Sequence, residues 1–242
     1  MTIQEMHTEF RLAFDKLESS AYPDYQVEEV DYLLNEAIIR FVKTRYSPNN
    51  LYRKGFEEIQ KRIDDIRSLV KTAFCATIAT GIEPNVYKAN PQVMFTDEAQ
   101  TSPINPNDRY MFYLRGRSRN VKTGCPSVYK WVRLVQHDDL DYLMDDPFNK
   151  PYYGRALAYF EDNVIYVATD GNYSIDNFKL TYLKWPIKVQ YGSVYPSPVA
   201  DVDSDLPEHT HKEIIQIAVS IALENIESPR QQSQEMNLNR ME

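Results

Sequence analysis

Glycine is scarce in this chain, seven residues in 242, and none falls in a GxGxxG turn, a Walker loop or a GxSxG elbow. Those patterns need glycine where backbone must approach a phosphate or turn sharply beneath a nucleophile. Nucleotide binding and serine-hydrolase chemistry therefore lack their sequence signatures. Cysteine is scarcer still. Cys75 and Cys125 stand far apart, with no histidine or second cysteine at metal-ligand spacing, and read as reduced thiols. No apolar run approaches the roughly 18 residues of a membrane-crossing helix. The opening Met1-Thr2-Ile3-Gln4-Glu5 has no basic stretch followed by an apolar one, the mark of a secretory leader. Positive charge is in deficit, and a net charge of -8 argues against a protein that grips nucleic acid over its whole surface. Tyrosine, by contrast, is abundant: 18 residues, which favours broad half-buried β surfaces.

Periodicity divides the chain. Thr2-Ile3-Gln4-Glu5 has the form of a capping box, and Ile3, Met6, Phe10, Ala13 and Leu17 follow at helical spacing. Ser19 to Pro23 breaks that helix. A second stripe, Val30, Leu33, Leu34, Ala37, Ile38, Phe41 and Val42, stops before Ser47-Pro48-Asn49-Asn50. A third helix is expected from about Gly55, with Phe56, Ile59, Ile63, Ile66 and Val70 inward and Glu57–Lys61 and Glu58–Arg62 as outward pairs. Beyond residue 72 the period changes, and strands are expected at 74–80, 110–115, 128–136, 156–160, 164–169 and 179–191. Asp162-Asn163 suits a tight hairpin, and Pro186 places the last strand at an edge or bends it there. The stretch from Gly81 to Asn107 reads as a loop or arm. Helix returns at Asp205-Leu206-Pro207-Glu208, with Ile214, Ile215, Ala218, Val219, Ala222 and Ile226 inward. The prediction is an α+β fold: a helical bundle formed by the N-terminal and C-terminal helices (1–71 with 205–227), a large inserted antiparallel β domain (72–204) and a polar tail (228–242).

Candidate chemistry is weak. Asp201, Asp203 and Asp205 match the opening of a calcium loop, but Leu206 stands where that loop needs glycine and Lys212 where it needs glutamate. Acids ahead of a helix also stabilise its positive end without an ion. His209 and His211, with Glu208 and Glu213, lack the four-residue separation of a zinc helix and read as solvent-exposed histidines. Asp138, Asp139, Asp141, Asp145 and Asp146 form a dense acidic cluster, usually a solvated loop. Arg115, Arg117 and Arg119 alternate, so a strand would put them on one face beside Tyr110, Phe112 and Tyr113. That could be a nucleic-acid strip, but pairing with acidic residues within or between subunits is the stronger expectation. No catalytic residue, metal ligand or cofactor is assigned.

Residues 1–46, MTIQEMHTEFRLAFDKLESSAYPDYQVEEVDYLLNEAIIRFVKTRY, resemble the opening of structural proteins from crAss-like and related podovirus-type phages. GFEEIQKRIDDIRSLV, the DDPFNKP stretch from Asp145, and LTYLKWPIKV followed by DLPEHTHKEIIQIAVSIALENIE occur in the order of their head-to-tail ring or adaptor proteins. The resemblance covers nearly the whole chain, and none of its motifs is catalytic. It implies a non-enzymatic virion protein: a subunit of a twelvefold adaptor ring under the portal, assembled in the bacterial host cytoplasm. Its partners would be further copies of itself, the portal protein and other tail ring or tail-barrel proteins, with DNA passing through the channel without sequence-specific binding and no membrane. It further implies that the C-terminal extension docks on the portal, with Met236, Leu238 and Met241 as its apolar anchors. Two rival roles are a sugar-binding module on a fibre, suggested by the tyrosine-rich centre, and a tail-borne cell-wall hydrolase using two of the central aspartates.

Overall fold

Alternation of inward and outward side chains begins at Val70 and builds seven strands, β1 (Val70–Ala79), β2 (Val86–Phe95), β3 (Tyr110–Val121), β4 (Val128–Leu134), β5 (Arg155–Glu161), β6 (Val164–Ala168) and β7 (Ser174–Lys184). In the computed structural model, which describes residues 1–17, 25–47, 59–79, 85–192 and 200–225, they close into a barrel in the order β1-β2-β6-β5-β4-β3-β7. Neighbouring strands are antiparallel except β4 and β5, which run parallel. A parallel pair needs a crossover, and helix α4 (His137–Asp145) supplies it. Between β5 and β6 the chain reverses on Asp162 and Asn163, both at positive φ (48° and 58°), the geometry of a type I′ turn.

The barrel interior is filled by pairing small residues with large ones. Ala73 and Cys75 on β1, Ala89 on β2, and Ala156 and Ala158 on β5 leave room for Phe178 and Tyr182 of β7 and for Tyr173. Gly116 of β3 is required by this packing, since an added Cβ would lie 2.5 Å from Phe178 Cζ and 2.8 Å from Tyr113 Oη. Beyond Gly116 the inward positions of β3 are polar, and they are bonded. Ser118 Oγ donates to Asn120 Oδ1 at 2.6 Å, and Asn120 Nδ2 donates to the Tyr153 carbonyl at 2.6 Å. Burial pushes the Cys75 thiol up to about 12, so this cysteine is a packing residue rather than a nucleophile.

The chain divides into two compact units, the barrel of residues 70–185 and a second of residues 1–69 with 186–242. The second contains α1 (Ile3–Leu17), α2 (Val27–Tyr46), α3 (Gln60–Ile66) and α5 (His211–Asn225). Ile3, Met6, Phe10 and Phe14 of α1 and the stripe from Val30 to Val42 of α2 are buried, as are Ile214, Ala218 and Ala222 of α5, and α5 packs on both α1 and α2. After Pro186 the chain runs extended along α2. Asn35 both donates to the Val189 carbonyl (2.9 Å) and accepts from its N–H (3.0 Å), and Asp31 accepts from the Tyr191 N–H at 3.1 Å. Those side-chain bonds satisfy backbone groups that have no strand beside them.

The architecture overturns the expected helical bundle carrying an inserted antiparallel domain: the described residues are built on a closed seven-stranded barrel with five short helices. The third helix ends at Ile66, and a single 3-10 turn leads directly to β1, so Val70 is a strand residue. Residues 48–58, with Gly55, Phe56, Glu57 and Glu58, lie outside the described residues. The expected arm between Gly81 and Asn107 contains β2. The strand expected to meet an edge or bend at Pro186 ends at Lys184, two residues earlier, and pairs with β1 on one side and β3 on the other, so it has no free edge. The acidic loop is helix α4.

Candidate functional site

Because β3 alternates, its small and polar residues Gly116, Ser118 and Asn120 face the barrel interior, and Arg115, Arg117 and Arg119 face outward on one side. The three do not share a fate. Arg119 binds Glu98 and lies 3.8 Å from Asp176, so its charge is met within the chain. Arg115 and Arg117 are exposed, and no acid meets either among the described residues.

Register extends this face into a row. Phe74 of β1 lies opposite Lys179 of β7, Lys179 opposite Arg117, Arg117 opposite Trp131 of β4, and Trp131 opposite Arg155 of β5. Lys179 Nζ sits 5.4 Å from the centre of the Phe74 ring and the Arg155 guanidinium 5.5 Å from that of Tyr152, both within cation–π range. Trp131 is 53% exposed. Sequence spacing pointed to the arginines. It could not supply Lys179 or Trp131, which join them only through cross-strand register.

Helix α4 presents the opposite charge. Leu140, Leu143 and Met144 turn inward, with Leu143 buried, while Asp138, Asp141, Tyr142 and Asp145 form the stripe at i, i+3, i+4 and i+7 on the other side. Asp138, Asp139, Asp141 and Asp145 are exposed and make no ion pair among the described residues, and Tyr142 is 73% exposed. The helix is seated on β5: His137 Nε2–H donates to the Phe160 carbonyl at 2.6 Å, and its ring packs edge-on against Tyr159.

Asp146 has a different task. Its carboxylate accepts from Asn149 Nδ2 (2.6 Å) and the Phe148 N–H (2.9 Å), and these bonds hold its pKa below the usual carboxylate range. Arg155 donates to the Asn149 carbonyl from the other side. The braced turn displays the Phe148 ring at 90% exposure.

The other acidic and histidine candidates are dispersed. Asp201 accepts from the Gly192 N–H, Asp203 from the Ile3 N–H at the start of α1, and Asp205 from the Ile187 N–H, so the three carboxylates serve three separate backbone sites rather than one cation. Glu208 and His209 lie in a single 3-10 turn ahead of α5. His209 is exposed and binds Asp65; Glu213 binds Arg45. His211, expected at the surface, is buried, and its Nε2–H donates to the Leu206 carbonyl at 3.0 Å. Among the described residues no group of three or more His, Cys, Asp or Glu could hold a metal ion. A cavity of about 410 Å³ opens beside the β5–β6 hairpin, lined by Pro91, Tyr110, Met111 and Phe160 with the exposed Glu161 and Asp162. Met236, Leu238 and Met241 lie outside the described residues. No helix among the described residues is long and apolar enough to cross a membrane.

The barrel is packed within, and its outer wall carries unmatched charge and exposed aromatic rings among the described residues. The chain belongs to the family described as Phage tail ring protein 3/4, which it matches over residues 1–235. It is similar to Ring protein 4/5 of Bacteroides phage crAss001, with 24% identity over 235 residues and 92% of each chain covered. This is a structural protein of a crAss-like phage tail ring.

Proposed function

We propose that the protein is a subunit of a dodecameric adaptor ring that joins the portal to the tail and forms part of the channel through which DNA passes. The observation that carries this reading is the family match, which spans residues 1–235. The net charge of -8 supports it, since an acidic wall repels DNA that must slide past without sequence-specific binding. The ring's neighbours are the portal and other ring or barrel proteins of the tail. The polar segment 228–242 docks on the portal, with Met236, Leu238 and Met241 as anchors. Assembly takes place in the bacterial host cytoplasm, a reducing compartment suited to Cys75 and Cys125 as free thiols.

Electron microscopy of purified particles tests the reading. The expected result is a twelvefold ring on the tail axis beneath the portal, and a peripheral trimer or a solitary off-axis copy contradicts it. Deleting residues 228–242 leaves a folded subunit that no longer joins the portal, measured by co-purification; unimpaired docking refutes that role for the segment.

A further inference from the structure

Arg117 and Lys179 face each other across the antiparallel β3–β7 pair, and Arg115 is two residues along the same face. Like charges directly opposite on a sheet destabilise it. No acid lies against either of the opposed cations among the described residues, and the Phe74 ring, 5.4 Å from Lys179 Nζ, leaves the charge unneutralised. On a chain of net charge -8, such a cluster calls for an anion from outside the subunit.

We propose that this row is the docking face for helix α4 of the next copy in the ring, a refinement that rests on the ring reading above. The occupant follows from charge. The outward stripe of α4 offers Asp138, Asp141 and Asp145 in line, and none of them is paired within the chain among the described residues. Trp131 beside Arg117 and Tyr142 within the acidic stripe supply the aromatic anchors that give such contacts their binding energy.

The two patches do not neutralise each other inside one subunit, since no ion pair joins Arg115, Arg117 or Lys179 to Asp138, Asp141 or Asp145 among the described residues. In the closed order β5-β4-β3-β7, the seat of α4 on β5 lies two strands from Arg117 and three from Lys179. A contact between unlike patches of successive copies is heterologous, and repeated with a fixed rotation it closes a ring. The same pairing leaves an open chain of copies with one free row at one end and one free stripe at the other until the last copy closes it.

The test uses assembled tails, so it does not depend on free subunits closing alone. In a Cys125→Ser background, Trp131→Cys and Tyr142→Cys are introduced together and the particles are oxidised. A ladder of covalent multimers that needs both new cysteines is the expected result. Intact particles with no ladder overturn the contact while leaving the ring reading in place; particles carrying a single off-axis copy overturn the ring reading itself. The paired double variant Arg117→Glu, Lys179→Glu enters particles about tenfold less or worse, and co-expression with an Asp138→Lys, Asp141→Lys, Asp145→Lys chain restores entry. Entry at the wild-type level without that partner contradicts the proposal. Retention of random-sequence duplex DNA by the wild-type protein, lost in Arg117→Glu and weakened by salt, assigns the row to nucleic acid and overturns it as well.

Discussion

Arg45 and Arg117 carry the same guanidinium into opposite surroundings. Arg45, 2% exposed at the end of α2, donates from Nε to Asp65 at 2.9 Å and from Nη2 to Glu213, and its plane lies over the Phe41 ring. Asp65 in turn accepts from His209. Arg117 stands on an outer wall, faces a lysine and meets no acid among the described residues. A buried guanidinium with matched carboxylates holds one subunit's helices in register. An exposed one without a partner contributes nothing to that subunit's folding, which directs attention to what lies beyond it.

The largest expected effect breaks the first half of that contrast. Arg45→Ala takes the buried guanidinium from Asp65, 1% exposed, and leaves the exposed His209 against it; it should destabilise the protein by about 3–5 kcal/mol, read by urea denaturation. Gly116→Ala, flanked by the two exposed arginines, forces Phe178 and Tyr113 aside and should cost about 1–3 kcal/mol by the same measurement. A third effect concerns pH. Burial pulls the His211 imidazole below its ordinary value of 6.5, and the positive chain N-terminus adds to this, against the Leu206 carbonyl, Glu208 and Asp203. The unfolded chain takes up a proton near 6.5 that the folded chain refuses, so the contribution of His211 is complete above that pH. It is lost as pH falls from 6.5 toward the folded value. Urea midpoints at about pH 7.5 and about pH 5.5 should differ by less in His211→Gln than in the wild type. The smallest effect on folding completes the contrast: Arg117→Ala should change stability by no more than about 0.5 kcal/mol while impairing incorporation into tails. Equal damage to folding from Arg45→Ala and Arg117→Ala would erase the distinction.

The helices with long apolar stripes were legible because their signal is local. The stripes of α1, α2 and α5 coincide with buried side chains where these are described, although Phe14 rather than Ala13 is the deeper residue of α1; the side chains of Leu17 and Ile226 lie outside the described ones. Strand β2 was not legible, for a physical reason. Its pairing with β1 slips between Cys75 and Thr77, so Val86, Ala89, Pro91 and Met94 are buried at irregular spacing, and Pro91 reads as a break. β3 outran its expected end at Arg115 because its inward residues become Ser118 and Asn120, polar groups whose hydrogen bonds form only when the barrel closes. For α4 the signal was present and misread: Leu140, Leu143 and Met144 lie on one side of HDDLDYLMD and the acids on the other. Closure itself depends on β7 meeting both β1 and β3, contacts between residues far apart in sequence. The same is true of the candidate site, where local alternation supplied Arg115 and Arg117 and only register added Lys179 and Trp131.

A density map of the intact tail, sharp enough to show side chains at the contact between successive copies, bears most directly on the account. It should show Asp141 and Tyr142 of one copy against Arg117, Lys179 and Trp131 of the next. A ring whose copies meet through other surfaces, with the β3–β7 wall open to solvent, would contradict it.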